Sequence, residues 1–320
     1  MDLSPLPENS LQWVLLVSAA GMTPAKGLAF GDSANGPGKA SKSLVRSVHI
    51  LVANMTSYIF DNAAERETEQ RFSSLESLYD PLTTHHLVET GIGPGWRCWE
   101  IGGGSGSIGV WLSDRIGPEG HVLMTDLDPR FLAEKGRSNL EVRRHDVGLD
   151  PLPDTAFDLI HTRLVLIHVP QREATIARLA TALKPGGWLV VEDYDTMLID
   201  RAFPCANADD AETARKCFRA LRTLMELRGM DMSWGRSLHG RLVATGLVNV
   251  EADAHFEFRR GGSPGARLDN ANFCQVRDQL LGERLLTSGE LDRLLRLLDD
   301  PDFVVAAPVM FRARGQQQRT

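Results

Sequence analysis

Between residues 97 and 192 the chain alternates short apolar runs with longer amphipathic stretches. The runs 97–101, 121–125, 140–144, 159–162 and 188–192 have the length and bounding turns of buried strands. The stretches 107–115, 129–135 and 171–183 carry apolar residues at helical spacing. Short apolar strands separated by helices predict a parallel sheet covered on both faces. In such sheets ligands bind beyond the carboxyl ends of the strands, near the point where strand order reverses. Glu100, Asp126, Asp146 and Glu192 all lie at or beside those ends.

The flanks read differently. Residues 63–78 form a predicted helix with Phe72, Leu75 and Leu78 on one face, which Asp80-Pro81 is expected to break. A second helix is predicted over 83–90, with Leu87 and Val88 inward. Beyond Asp195, residues 209–228 space Ala214, Cys217, Leu221 and Leu224 for burial on one helical face. A helix over 235–245, a strand over 248–258 and a loop over 261–265 follow. Helices over 270–286 and 288–298 come next, the latter with Ser288 as N-cap, and 302–312 is the expected last strand. No internal repeat is evident.

The first 54 residues stand apart as a linker-like or disordered extension. Residues 27–43 are rich in Gly, Ser, Ala, Asn and Lys. The run from Ser33 to Ala40 approaches a phosphate-binding loop, but Ser33 replaces the first glycine and Ala40 the hydroxyl residue that would bind magnesium. Ordered patterning begins soon after Met55, which makes that methionine the expected natural start.

The most chemical feature is Trp99-Glu-Ile-Gly-Gly-Gly-Ser-Gly106, a strand end, an acid, a glycine turn and then a helix. Glycines admit positive φ and let a ligand approach the backbone, and the helix start offers unpaired N–H groups. One pattern here is Gly104-Ser-Gly106-Ser-Ile-Gly109, which with Asp126 downstream fits a dinucleotide fingerprint and hence an NAD(P)-dependent oxidoreductase. The stretch more closely resembles the class I S-adenosylmethionine-dependent methyltransferases of the small-molecule type. Five signals appear in order: Glu100 ahead of Gly102, Gly104 and Gly106; Asp126 ending the second strand; Asp146 after the third; Phe157-Asp-Leu-Ile160 opening the fourth; and Leu183-Lys-Pro-Gly-Gly187 before the fifth. The resemblance covers residues 63–195 well.

That resemblance implies an α/β, Rossmann-like fold: a central, mostly parallel sheet with an antiparallel last strand at the edge, helices on both faces and a helical cover. It implies a methyltransferase domain over 55–320, with its core at 96–195 and a helical insertion near 200–235. S-adenosylmethionine is the implied cofactor. Gly102, Gly103, Gly104 and Gly106 would carry its methionine part and Glu100 would orient the turn and reach the amino group. Asp126 would take the ribose hydroxyls, Leu127 the adenine face, and Asp146 with the Val147 backbone the adenine amine. Thr162, Arg163 and His168 follow the fourth strand, where this family lines the transfer site. His168 is the candidate general base, because imidazole takes up a proton near neutrality. Tyr58, His85 and His86 are candidates to cover the acceptor. The acids Glu192, Asp193 and Asp195 alternate faces and cannot all converge, and no metal is expected. A non-catalytic cofactor-binding module is the alternative from another class.

Composition narrows the partners. A net charge of −7 argues against a general nucleic-acid binder. After the fourth strand the chain reads His161-Thr-Arg-Leu-Val165, without the Asn- or Asp-Pro-Pro-aromatic motif of nucleic-acid amine methyltransferases or the paired-glutamate loop of protein-arginine methyltransferases. The acceptor is therefore expected to be a small molecule. The four cysteines, Cys98, Cys205, Cys217 and Cys274, form no C-x-x-C pair, which fits a reducing cytoplasm. The apolar stretch 11–20 is too short to span a bilayer and lacks basic residues before it, so no membrane partner is expected.

Overall fold

The computed structural model describes residues 65–132, 137–154, 156–199 and 207–319. The linker-like extension 1–54, the start at Met55, Tyr58 and Cys205 lie outside them. Five strands between residues 97 and 195, β1 (Arg97–Ile101), β2 (His121–Asp126), β3 (Leu140–Arg144), β4 (Phe157–Arg163) and β5 (Leu183–Asp195), pair in parallel. With two late strands, β6 (Val248–His255) and β9 (Val309–Gln316), they form a seven-stranded sheet ordered β3-β2-β1-β4-β5-β9-β6. Strand order reverses between β1 and β4, so a crevice opens beyond their carboxyl ends.

Period-two alternation assigns the strand residues to two faces. Trp99, Leu123, Ile160 and Leu189 face one apolar layer, and their neighbours Cys98, Val122, Leu159 and Val190 face the other. The second layer is closed by Leu87 of helix α1 (Glu65–Val88) and by Ile108, Leu112 and Ile116 of α2 (Ser107–Ile116). The first is closed by Ile176 and Leu179 of α3 (Arg172–Thr181) and by Ala214, Cys217, Phe218 and Leu224 of α4 (Ala208–Leu227). Helices α5 (Leu238–Ala244), α6 (Pro264–Gln275), α7 (Arg277–Gly282) and α8 (Ser288–Asp299) complete the described helices. β7 (Phe258–Arg260) and β8 (Val304–Ala306) pair as a separate ribbon.

Several expectations need correction. Asp80-Pro81 does not break the first helix; α1 runs through Pro81. Tertiary ties hold it across the missing N–H: Arg163 donates to Asp80 Oδ1 and to Thr83 Oγ1, both at 2.9 Å, and Tyr79 on one side is buried. Leu87 is buried as expected, but Val88 is exposed. The helix foreseen over 129–135 begins as a single 3-10 turn, Pro129–Phe131, capped by Asp128. The expected last strand over 302–312 divides into β8 and β9, and the antiparallel β9 sits inside the sheet, between β5 and β6, leaving β6 at the edge. The segment foreseen as one helix over 270–286 is α6 followed by α7, and α6 already starts in the foreseen loop, capped by Ser263.

At the start of α8 the N-cap is Thr287 rather than Ser288. Its hydroxyl accepts from Glu290 N–H while the Glu290 carboxylate accepts from Thr287 N–H, a reciprocal capping box. Leu291, Leu294 and Leu298 then bury the helix face. Thr287→Ala should lower unfolding free energy by about 1 kcal/mol, whereas Ser288→Ala should change it little; chemical denaturation of the two variants checks the assignment.

Candidate active site

The glycine turn leaves β1 at the point of reversal. Gly102, Gly104 and Gly106 have φ of 71°, 58° and 92°, which a side chain would strain. A Cβ at Gly102 would lie 2.2 Å from the Val165 side chain, so the loop after β4 rests directly on the turn. Gly103 and Gly106 lie over Met124 and Leu132, and Gly104 packs beside Phe72 of α1. No side chain caps the α2 N-terminus behind Gly106, so its first N–H groups and dipole end remain available to a ligand.

The predicted residues fall around this turn with distinct jobs. Asp126 holds it from β2: Oδ2 accepts from Gly104 N–H at 3.1 Å and Oδ1 from Asp128 N–H at 3.0 Å. Burial raises the Asp126 pKa, against the lowering effect of these bonds. A carboxylate has about four acceptor positions, so room remains for two further donors. Leu127 beside it is 48% exposed, an apolar face open to a ligand rather than part of the core. Asp146 Oδ1 accepts from the N–H groups of Gly148 and Leu149, closing the turn after β3. The Val147 side chain belongs to the core, so only its backbone can meet a ligand. Thr162 is buried at the end of β4 and its hydroxyl has no hydrogen-bond partner.

Glu100 departs from the expectation. It is buried and accepts from His161 Nδ1–H at 2.6 Å, so its carboxylate is engaged within the sheet. His161, fully buried on β4, also lies with Nε2 3.6 Å from Glu192 of β5. Glu192 in turn accepts from Thr83 and lies 3.7 Å from His86, both on α1. Burial favours a neutral His161, but the carboxylates of Glu100 and Glu192 outweigh it and raise the pKa to about 9. The histidine is therefore an imidazolium bridging two acids, and the cluster ties β1, β4, β5 and the cover helix together. Residue-by-residue reading overlooked it, although a histidine inside the apolar run of β4 was a usable signal. The remaining acids engage separate partners: Asp193 accepts from Ile167 N–H, and Asp195 pairs with Arg236. Of the two adjacent histidines on α1, His86 is buried and His85 is exposed beside Glu89.

Beside the segment that follows β4 lies a cavity of about 80 Å³, partly open to solvent. It is walled by Leu164 and Ile167 after β4, Tyr194 of β5, Phe218, Leu221 and Met225 of α4, and Leu268 of α6. Leu164 carries a φ of 57°, unusual for leucine. His168 lines this cavity, on the 3-10 turn Leu166–His168. Burial, together with the charges of Arg71 and Arg172, pushes its pKa down to about 3, so it stays neutral at working pH. Arg71, Arg222 and Arg259 also reach the wall, and none was singled out by sequence pattern because they come from three distant elements.

Comparison with known proteins agrees with this geometry. The family described as "Methyltransferase domain" matches residues 99–189. The methyltransferase str3 of Strobilurus tenacellus is 31% identical over 172 residues, 52% of this chain and 59% of that protein. The ubiquinone/menaquinone biosynthesis C-methyltransferase UbiE of Stenotrophomonas maltophilia is 30% identical over 125 residues, 36% of this chain and 49% of that protein. Each alignment thus spans about half the length of these relatives. Among solved structures, phosphoethanolamine N-methyltransferase 2 of Haemonchus contortus, in complex with phosphomonomethylethanolamine and S-adenosylhomocysteine, shares the fold with a TM-score of 0.50 at 14% identity, covering 82% of this chain and 60% of that one. These likenesses support a class I S-adenosylmethionine-dependent methyltransferase, with the methyltransferase domain matched over residues 99–189. The antiparallel β9 inside the sheet separates this topology from the strand order of the dinucleotide fold behind the oxidoreductase alternative.

The raised pKa of His161 makes a signed prediction. A folded-state pKa of about 9 against an ordinary value near 6.5 means its stabilisation is complete below about pH 6.5 and is lost as pH rises through 9. His161→Gln leaves Glu100 buried without its cation and should cost about 3–5 kcal/mol at pH 6.5. The gap from wild type should narrow toward pH 9.5 in denaturant titrations; a gap independent of pH contradicts the imidazolium assignment.

Proposed function

We propose that this protein is an enzyme that moves a methyl group from S-adenosylmethionine to a small-molecule acceptor held in the cavity beside the glycine turn. The observation that carries this reading is the adjacency of the two sites: Val165 rests on Gly102, while its neighbours Leu164 and Ile167 wall the cavity. A donor laid along the turn therefore presents its reactive end to a mostly apolar cavity that is partly open to solvent.

The residues present suit that donor. The uncapped start of α2 and the side-chain-free turn accept its amino-acid part. Asp126, with acceptor positions to spare, takes the ribose hydroxyls. Exposed Leu127 packs on the adenine face, and Asp146 with the Val147 backbone receives its exocyclic amine. The orphaned Thr162 hydroxyl supplies one more polar contact near the turn. Glu100 acts through His161 to hold the turn in shape. When bound, the sulfonium supplies an activated methyl with a neutral leaving group.

With that chemistry supplied, the chain's own task is to place the acceptor in line and keep water out. Ile167, Phe218, Leu221 and Leu268 provide an apolar bed for the acceptor. Neutral His168 accepts a hydrogen bond from the acceptor's nucleophilic group and orients it. A pKa near 3 makes His168 a weak proton acceptor, so this reading favours acceptors that ionise readily and need little base assistance. The acid composition and the absence of nucleic-acid methyltransferase motifs support a metabolite over a polynucleotide. The cysteine usage supports a cytoplasmic setting. Among the described residues no helix is long and apolar enough to cross a membrane.

Calorimetry with S-adenosylhomocysteine and with NADH tests the cofactor. Binding of the first and not the second is expected, and Asp126→Ala should weaken it by about 1–3 kcal/mol through loss of a buried charged acceptor. An unchanged affinity would remove Asp126 from the ribose site. Turnover of labelled S-adenosylmethionine with any small acceptor separates an enzyme from a non-catalytic binding module.

A further inference from the structure

We propose that Tyr194 selects the acceptor: its hydroxyl donates a hydrogen bond to an acceptor oxygen that carries no hydrogen, a carbonyl or an oxyanion. This rests on the reading of the cavity as the acceptor site.

Side chains from four elements form a relay at the cavity wall. Arg259 of β7 is buried, and each of its three side-chain nitrogens is engaged. Nε donates to Glu257 at 3.1 Å, Nη1 to both Asp269 oxygens at 3.2 Å, and Nη2 to the Tyr79 hydroxyl at 2.6 Å. Burial opposes the charge, but the groups around it outweigh burial and keep Arg259 a cation. Tyr79 of α1 is buried, and its oxygen lies 2.9 Å from the Tyr194 hydroxyl of β5. The two rings meet edge to face, with centroids 5.9 Å apart. Tyr194, Arg259 and Asp269 line the cavity and Tyr79 does not, so Tyr194 is the outer member of the relay.

The hydrogens of this relay decide what it can bind. A guanidinium only donates, so the Tyr79 oxygen accepts from Arg259. As the side chains stand, Tyr194 also donates to Tyr79. The Tyr79 hydrogen then has no recipient among the described residues, a costly state for a buried hydroxyl. The opposite order satisfies every hydrogen, provided that something in the cavity accepts from Tyr194. Arg259 then donates to Tyr79, Tyr79 to Tyr194, and Tyr194 to the acceptor, and each bond polarises the next. An oxygen without a hydrogen completes this chain. A hydrocarbon leaves the Tyr79 hydrogen stranded, and an ammonium, which has only donors, cannot accept from Tyr194. Burial raises the Tyr194 pKa well above that of an ordinary phenol, so the residue stays a neutral donor and is not a base.

The test uses full-length protein saturated with S-adenosylhomocysteine and calorimetry with three probes of similar shape: acetophenone, α-methylstyrene and 1-phenylethylamine. Tyr194→Phe keeps the ring and removes the hydroxyl. It should weaken acetophenone about fivefold, the size of one neutral hydrogen bond, and leave α-methylstyrene within about twofold. The infrared carbonyl band of bound acetophenone gives a second readout. In wild type it should lie below its position in cyclohexane, and in Tyr194→Phe it should rise. Should that variant fail to fold, 3-fluorotyrosine incorporated at the three tyrosines of the chain makes each phenol a stronger donor, and the band should drop further. An acetophenone affinity and band that respond to neither change, or tighter binding of 1-phenylethylamine than of acetophenone, overturns the proposal. Failure of S-adenosylhomocysteine to bind, or of acetophenone and α-methylstyrene alike, overturns the underlying reading of turn and cavity and the proposal with it, so the two failures are distinct.

Discussion

A protonated histidine inside the sheet organises this molecule. His161 sits between the carboxylates of Glu100 and Glu192, and through Glu192 it meets Thr83 and His86 on the cover helix. Three strands and one helix thus share one charge cluster that water does not reach. Buried ion pairs are poor sources of net stability, because desolvation consumes most of their attraction. Their effect is to make one arrangement far better than its neighbours. Here that arrangement fixes the strand end from which the glycine turn departs and the helix that lies over it.

The turn and the cavity follow from that placement. Since strand order reverses between β1 and β4, the segments leaving them diverge and open a crevice. The lack of a Cβ at Gly102 lets Val165 close the crevice floor. Arg163, two residues past His161 on β4, reaches up to Asp80 and Thr83 and holds α1 across Pro81. Glycine turn, cavity and cover helix are therefore parts of one mechanical unit rather than separate modules. The cavity takes its walls from α1, α4 and α6 as well as from the sheet.

Much of this was legible in the residue order. The five parallel strands and the glycine turn are local patterns: apolar runs of strand length, and glycines where positive φ is required. Asp126 was legible for the same reason, since an acid ending the second strand has one neighbour it must face, the turn after the first. The corrections concern places where distant groups overrule local preference. Pro81 reads as a breaker, yet Arg163 from the sheet holds the helix through it. The final strand reads as an edge, yet it enters the sheet antiparallel between β5 and β6, because pairing partners are chosen by the whole sheet rather than by the strand.

The amino-acid sequence by itself determined the fold class, the order of strands and helices in the parallel half, and the cofactor chemistry, because each depends on residues close together in the chain whose spacing carries the signal. Only the tertiary structure decided that Glu100 serves His161, that His168 is held neutral, and that Arg71, Arg222 and Arg259 meet on one wall. Those facts depend on burial and on charges brought together from separate elements, and neither quantity exists until the chain has folded.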